Sequence, residues 1–389
     1  MRKVLDVFLT FLRLGCTSFG GPVAHLAYFQ REFVERRRWL DDAAFGECVA
    51  LTQLLPGPAS SQTGMLVGWL RAGPAGALGA WLGFTLPSAV LMTAFAIALP
   101  HANVNSSWLH GLLLVAVAVV ASAIVALRTS LAPDFARSLL AVAVLAIILL
   151  APPHPIVTPL AIAGAAVAGL FLPGIRATAQ PQLDLRVSHS GGIVALALFA
   201  LTFVALALWA ATGSHLAVLA NTLFRIGSLV FGGGHVVLPL LQTQAATAGI
   251  VDSRTILAGY AAAQAVPGPL FTIASYVGAS AWNASLGIPG AIAGTVAIFA
   301  PSFFLLTAVA PFYRRLAANE RFRAALAGAN AGVVGLLAAA FVNPIFVTSV
   351  RTPLDGAAAL VAFGALQYAK VPAWAMVILG ALFGYVVGR

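Results

Sequence analysis

Charge is what this chain has least of. Only 8% of its 389 residues are Asp, Glu, Lys or Arg, and just 11 are acidic. Soluble domains carry about 25% charged residues, so a water-soluble fold of this length is excluded. Cysteine is nearly absent too. Cys16 and Cys48 match no metal-ligand spacing and need not pair, so neither a disulfide framework nor a metal site is expected. There is no Gly-rich loop ending in Lys-Ser or Lys-Thr, which argues against ATP hydrolysis, and no His-Glu-x-x-His. No nucleophile stands with an evident base. These absences point away from an enzyme, and no cofactor is expected.

Apolar sequence fills the space that charge leaves. Hydrophobic residues make up 61% of the chain and its mean hydropathy is +0.97. Nearly charge-free runs recur at 75–99, 111–127, 139–151, 192–211 and 290–311, as in an all-α polytopic membrane protein in a lipid bilayer. The opening Met-Arg-Lys-Val-Leu-Asp resembles the start of a signal peptide, but no small-residue cleavage site follows, so the segment reads as retained. A net charge of +10 would suggest nucleic acid in a soluble protein. Here the arginines cluster in short loops beside apolar runs, which is a topology signal, and no nucleic-acid partner is expected.

The chain also repeats itself. Residues 11–22, Phe-Leu-Arg-Leu-Gly-Cys-Thr-Ser-Phe-Gly-Gly-Pro, return at 223–234 as Leu-Phe-Arg-Ile-Gly-Ser-Leu-Val-Phe-Gly-Gly-Gly. Gln53-Leu-Leu-Pro56-Gly57-Pro58 returns as Gln264-Ala-Val-Pro267-Gly268-Pro269, and Leu86-Pro87-Ser88 as Ala300-Pro301-Ser302. Three motifs in one order, about 211 to 214 residues apart, mark a duplicated unit. The expected organisation is a first repeat over 1–173, a linker with an inverting transmembrane helix over 174–212, and a second repeat over 213–389.

Loop charge orients the repeats. The segment from Arg31 to Asp42 holds four arginines, whereas its partner around Gln242 to Arg254 holds one. Residues 100–110 contain no Lys or Arg, whereas Tyr313 to Arg323 contains Arg314, Arg315, Arg321 and Arg323. The positive-inside bias therefore reverses between repeats, predicting inverted topology with a cytoplasmic N-terminus. For matched loops to fall on one side, residues 4–30, 43–71, 215–240 and 255–282 must turn back or break. Their breaks are Gly20-Gly21-Pro22, Pro56-Gly57-Pro58, Gly232-Gly233-Gly234 and Pro267-Gly268-Pro269. The count is about nine full crossings plus four hairpins, rising toward thirteen segments if the hairpins span.

Helices that start inside a membrane present free amides and a positive dipole end, which attract anions. Ser60, Ser61, Gln62 and Thr63 follow one such start, and Thr272 and Ser275 follow its partner. They either donate to an oxyanion or satisfy broken backbone. Arg13 and Arg225 occupy matching places in apolar stretches; each either serves substrate or gating, or snorkels, with Asp6 a further partner for Arg13. Glu47, His25 and His235 are proton-coupling candidates. Glu47 has a rival reading as a partner of Arg36, Arg37 or Arg38, and the histidines as structural hydrogen-bond partners. Gln53 and Gln264 hydrogen-bond the breaks or line the site.

Phe19-Gly20-Gly21-Pro22, Gln53-Leu-Leu-Pro56-Gly57-Pro58, Leu86-Pro87-Ser88 and their second copies together resemble the chromate ion transporter family in its long, duplicated form. The resemblance covers nearly the whole chain. It implies a bacterial inner-membrane secondary transporter that exports chromate, confers chromate resistance, draws on the proton motive force and is open to competition by sulfate. Two departures stand out: Gly234 replaces Pro22 in the second copy, and Glu47 has no acidic counterpart. A transporter of sulfate or another oxyanion, and an anion channel, are the alternatives. A homodimer is left open.

Overall fold

The computed structural model describes residues 2–19, 21–53, 55–98, 107–151, 157–171, 185, 187–230 and 236–387. Within them every regular element is helical. The first half holds α1 (Arg2–Thr17), α2 (Gly21–Gln30), α3 (Asp42–Gln53), α4 (Ala59–Ala98), α5 (Ser107–Leu131), α6 (Phe135–Leu150) and α7 (Val157–Gly169). A wider helical turn, Arg31–Arg36, extends α2. After α8 (His189–Ala210) come α9 (His215–Leu229), α10 (Val237–Leu240), α11 (Ser253–Ala265), α12 (Ile273–Ala284) and α13 (Gly287–Val309). The chain ends through α14 (Tyr313–Ala318), α15 (Glu320–Ala340), α16 (Val347–Ser349), α17 (Pro353–Gln367) and α18 (Ala373–Val387). Five helical stretches are long and apolar enough to cross a membrane: Ala59–Ala98, His110–Thr129, His189–Ala210, Gly287–Phe312 and Glu320–Ser349.

Ion pairs define the direction of the first hairpin. Arg13 meets Glu32 at 2.6 Å and Arg37 meets Asp6 at 2.9 Å, so α1 and the segment after it run antiparallel. A second hairpin follows. With 12 residues, α3 extends only about 18 Å, too short for a hydrocarbon core of about 30 Å. The chain turns at Pro56-Gly57-Pro58 and comes back along the first part of α4, where Arg71 lies 5.0 Å over the ring of Trp39. At Ala72 and Gly73 the helix leaves helical geometry, and the remainder of α4 sets out across the molecule.

The second half does the same from the opposite end. His215, at the start of α9, stacks on Trp282 at 4.1 Å, and Trp282 N–H donates to Ile250 C=O at 2.9 Å. The two hairpins of this half thus begin and end together. Residues 281–283 break α12 as 72–73 break α4. Phe95, near the far end of α4, stacks on Tyr276 of α12 at 5.6 Å, and Gly278 of α12 lies against Gly290 at the start of α13, while Trp81, midway along α4, packs on Phe299 and Phe303 farther along α13 at 5.8 and 5.6 Å. The long helices α4 and α13 therefore run antiparallel, and the halves are inverted.

Packing also crosses between halves. α5 lies against α17 and α18, and α15 against α6 and α7. Apolar side chains of α5, α11, α12 and α15 join the largest buried cluster. By contrast α8 exposes Ile193, Leu196, Leu201, Val204 and Leu208. Such a face would be costly in water and is at home in lipid.

Candidate functional site

The two Pro-Gly-Pro turns meet the opposite half reciprocally. Gly57 N–H donates to Val230 C=O at 2.6 Å, and Gly268 N–H donates to Ser18 C=O at 2.9 Å. Ser18 and Val230 hold the same place after α1 and α9. Both glycines have positive φ, +125° and +101°, which favours a residue with no Cβ. A Cβ on Gly57 would lie 2.8 Å from Ser302 Oγ, and one on Gly268 2.9 Å from Ser88 Oγ. So each tip is wedged between the other half's short hairpin and its Pro-Ser helix.

The prolines explain the local fold. Each pair interrupts the amide ladder, ends one short helix and allows another to begin. The new helices α4 and α12 start beside this crossing, with first-turn amides and positive dipole ends in the middle of the molecule. Gln62 Nε2 fastens the first tip, donating to Pro56 C=O at 2.7 Å and Ser302 Oγ at 3.2 Å. Thr272 Oγ1 donates to Pro269 C=O at 2.8 Å in the second.

Polar atoms around the crossing are incompletely satisfied. Ser18 Oγ, His25 Nε2, Ser61 Oγ, Gln62 Oε1 and Gln264 Nε2 are buried with no hydrogen-bond partner among the described residues. A buried polar group left unpaired costs about 1–3 kcal/mol. His25 is only 1% exposed; its Nδ1 lies 3.3 Å from Ser60 Oγ and its ring meets Phe84 edge-on at 5.2 Å.

The paired arginines lie in different surroundings. Arg13 belongs to a cluster in which the buried carboxylate of Glu32 also receives Arg36 and Arg37, at 3.0 and 2.7 Å. Burial would raise the Glu32 carboxyl, but hydrogen bonds from Arg37 and Arg36 and the nearby charge of Arg13 hold it below its ordinary range. Asp6, the partner foreseen for Arg13, is taken by Arg37. Arg225 sits at the same place in α9, but its Nε is buried without a hydrogen-bond partner among the described residues.

Other candidates fall around the tips or away from them. Ser60 and Ser61 are buried in the first turn of α4, and Pro56, Pro58, Pro267 and Pro269 flank the two glycines. Gly21, with φ +77°, and Pro22 open α2. Gln53 is exposed whereas Gln264 is buried and bonds the Tyr260 hydroxyl, so the repeated glutamines do unlike things. Glu47 lies half-buried near Tyr313, at the arginine-rich end rather than at the tips. Gly20, Gly232, Gly233, Gly234 and His235 lie outside the described residues. Both cysteines are free thiols. Sequence reasoning did not single out Ser18, Glu32 or the site contacts of Ser88 and Ser302. Only the Pro-Ser pair carried a signal, its own repetition.

Known proteins resemble this sequence over most of its length. The family profile described as Chromate transporter matches twice, over residues 5–170 and 217–385. The chromate transport protein of Pseudomonas aeruginosa is 32% identical over 369 residues, covering 90% of this chain and 82% of that one. One from Cupriavidus metallidurans is 27% identical, covering 92% and 85%. An uncharacterized transporter of Methanocaldococcus jannaschii is 26% identical, covering 99% and 94%. No solved structure matches. With both halves matched and the relatives aligned nearly end to end, this chain belongs to the chromate transporter family.

Proposed function

We propose that this protein is a secondary transporter that exports chromate across a bacterial inner membrane, confers chromate resistance and is driven by the proton motive force. The observation that carries the reading is the reciprocal meeting of the two Pro-Gly-Pro turns in a chain of this family. Two relatives named chromate transport proteins support the substrate. The arginine-rich end, with Arg36, Arg37 and Arg71, supports a cytoplasmic N-terminus.

In this reading the anion sits where the four hairpins converge. Its oxygens accept from the free first-turn amides of the helices that follow Gly20-Gly21-Pro22 and Pro56-Gly57-Pro58 and their copies Gly232-Gly233-Gly234 and Pro267-Gly268-Pro269, and from Ser61, with Ser60 and Thr272 beside it and Gln53 and Gln264 lining the approach. Arg225 supplies a guanidinium, whose flat fork suits a tetrahedral oxyanion. Arg13 steadies the first hairpin through Glu32. Hairpins that enter from opposite ends and meet at their tips give each end its own gate, as alternating access requires. His25, His235 and Glu47 are the proton carriers of choice.

Labelled chromate and inverted membrane vesicles test the proposal. Uptake is expected to rise when a pH gradient, acid inside, is imposed and to fall when sulfate competes. Uptake indifferent to the gradient removes the coupling; currents that follow voltage alone turn the reading to a channel; sulfate uptake without chromate uptake changes the substrate.

A further inference from the structure

The reciprocal backbone crossing hides an asymmetry of side chains. Around the first tip stand Ser18, His25, Ser60 and Gln62, all buried. The positions that correspond in the second half are Val230, Val237, Phe271 and Ile273, all buried and apolar, and the counterpart of Ser61 is Thr272, whose hydroxyl proton is already given to Pro269 C=O at 2.8 Å. The difference continues outward: Phe271 packs on Phe299 at 5.9 Å, and Phe299 on Trp81 at 5.8 Å. At these positions one side of the crossing is polar and incomplete, and the other is apolar but for a hydroxyl that is already engaged.

The polar side converges on one spot. His25 lies beside the Ser18 backbone as well as Ser60, and Ser18 C=O is the acceptor for Gly268 N–H. If the Ser60 hydroxyl donates to Nδ1, the imidazole proton resides on Nε2 and remains free to donate. That nitrogen, Ser18 Oγ and Ser61 Oγ are unpartnered among the described residues. Unmet buried polar groups concentrated at one helix start are expected where a ligand completes them.

Resting on the oxyanion reading above, we infer that the crossing holds a single oxyanion seat whose hydroxyl and imidazole donors, Ser18, Ser61 and His25, all come from the first repeat, while the second repeat contributes Arg225 and an aromatic wall. The pseudo-twofold axis therefore relates the backbone of the two halves but not their work. A tetrahedral dianion fits the seat because it presents oxygens in several directions to a helix start, two hydroxyls and an imidazole N–H.

Chromate kinetics in inverted vesicles, with melting of each purified full-length variant as the folding control, read the assignment. His25→Leu and Ser61→Ala are each expected to raise the KM for chromate about tenfold or more. His25→Gln, whose amide nitrogen reaches the Nε2 position, is expected to recover most of the loss, which a merely space-filling histidine would not. Leu201→Ala, on the exposed face of α8 away from the crossing, should leave KM near the wild-type value. If the wild type transports chromate but neither His25→Leu nor Ser61→Ala moves KM, or Leu201→Ala moves it equally, the single-seat assignment is overturned while the transport reading stands. If the wild type transports no chromate, that reading fails and the seat is read by melting: stabilisation by chromate or sulfate that His25→Leu abolishes supports it, and no stabilisation by either anion overturns it. Should His25→Leu fail to fold, Ser61→Ala decides by the same measures.

Discussion

Arg13 and Arg225 show how one residue in one repeated motif acquires two environments. Glu32 sits opposite Arg13, whereas the residue 212 positions later, Gln244, is uncharged, so α9 meets no matching carboxylate there. A guanidinium whose charge is already met by a buried carboxylate has little left for a substrate. Arg225→Ala is therefore expected to raise the KM for chromate at least about tenfold, equivalent to ~1.4 kcal/mol. Arg13→Ala should instead lower the melting temperature with a smaller change in KM, because Glu32 keeps Arg36 and Arg37. Equal effects of the two on KM would contradict this division. The sequence made both arginines visible as charges in apolar stretches, but Glu32 was hidden within a run of charged loop residues. Only the antiparallel return of the chain brings it back to Arg13.

Helix breaks are the elements on which the site depends, and they were the most legible part of it. Proline on both sides of glycine admits no continuous helix, and its repetition marked two such turns before any contact was known. What the turn grips was not legible, since Gly57 and Gly268 find their acceptors about 170 and 250 residues away, a separation that no local pattern encodes. Gly268→Ala would add a Cβ at φ +101°, 2.9 Å from Ser88 Oγ and 3.2 Å from Phe84 C=O. It is expected to cost about 1–3 kcal/mol of stability. Gly249→Ala shares a positive φ, +67°, but its Cβ would meet no atom within 4 Å, so its loss should be smaller. Thermal melting in detergent ranks the two, and a milder effect at Gly268 would argue against the tip as a tightly held joint. The break at Ala72 and Gly73 likewise has a sequence cue in Gly73-Pro74, while the three non-helical residues Ala281, Trp282 and Asn283 have none as plain.

For the molecule as a whole, the inversion of the halves was readable because arginines are scarce enough for each loop to count. The exchange of helices between halves was not, because α5, α6, α7, α17 and α18 carry few distinguishing marks beyond apolar composition. Yet α5 rests on α17 and α18, and α15 on α6 and α7. This clasp has a consequence for assembly at the ribosome. Helix α5 emerges long before its partners near the C-terminus are synthesised, so the first half must wait in the bilayer with its seam open, and maturation finishes only when the last helix arrives. A fragment ending at residue 212 is expected to be degraded when made alone and to be rescued when residues 213–389 are supplied as a separate chain, as pulse-chase labelling would report. Stable accumulation of the lone fragment would mean that the two halves mature independently. On this account the duplicated protein behaves as two interlocked chains that happen to share one peptide bond.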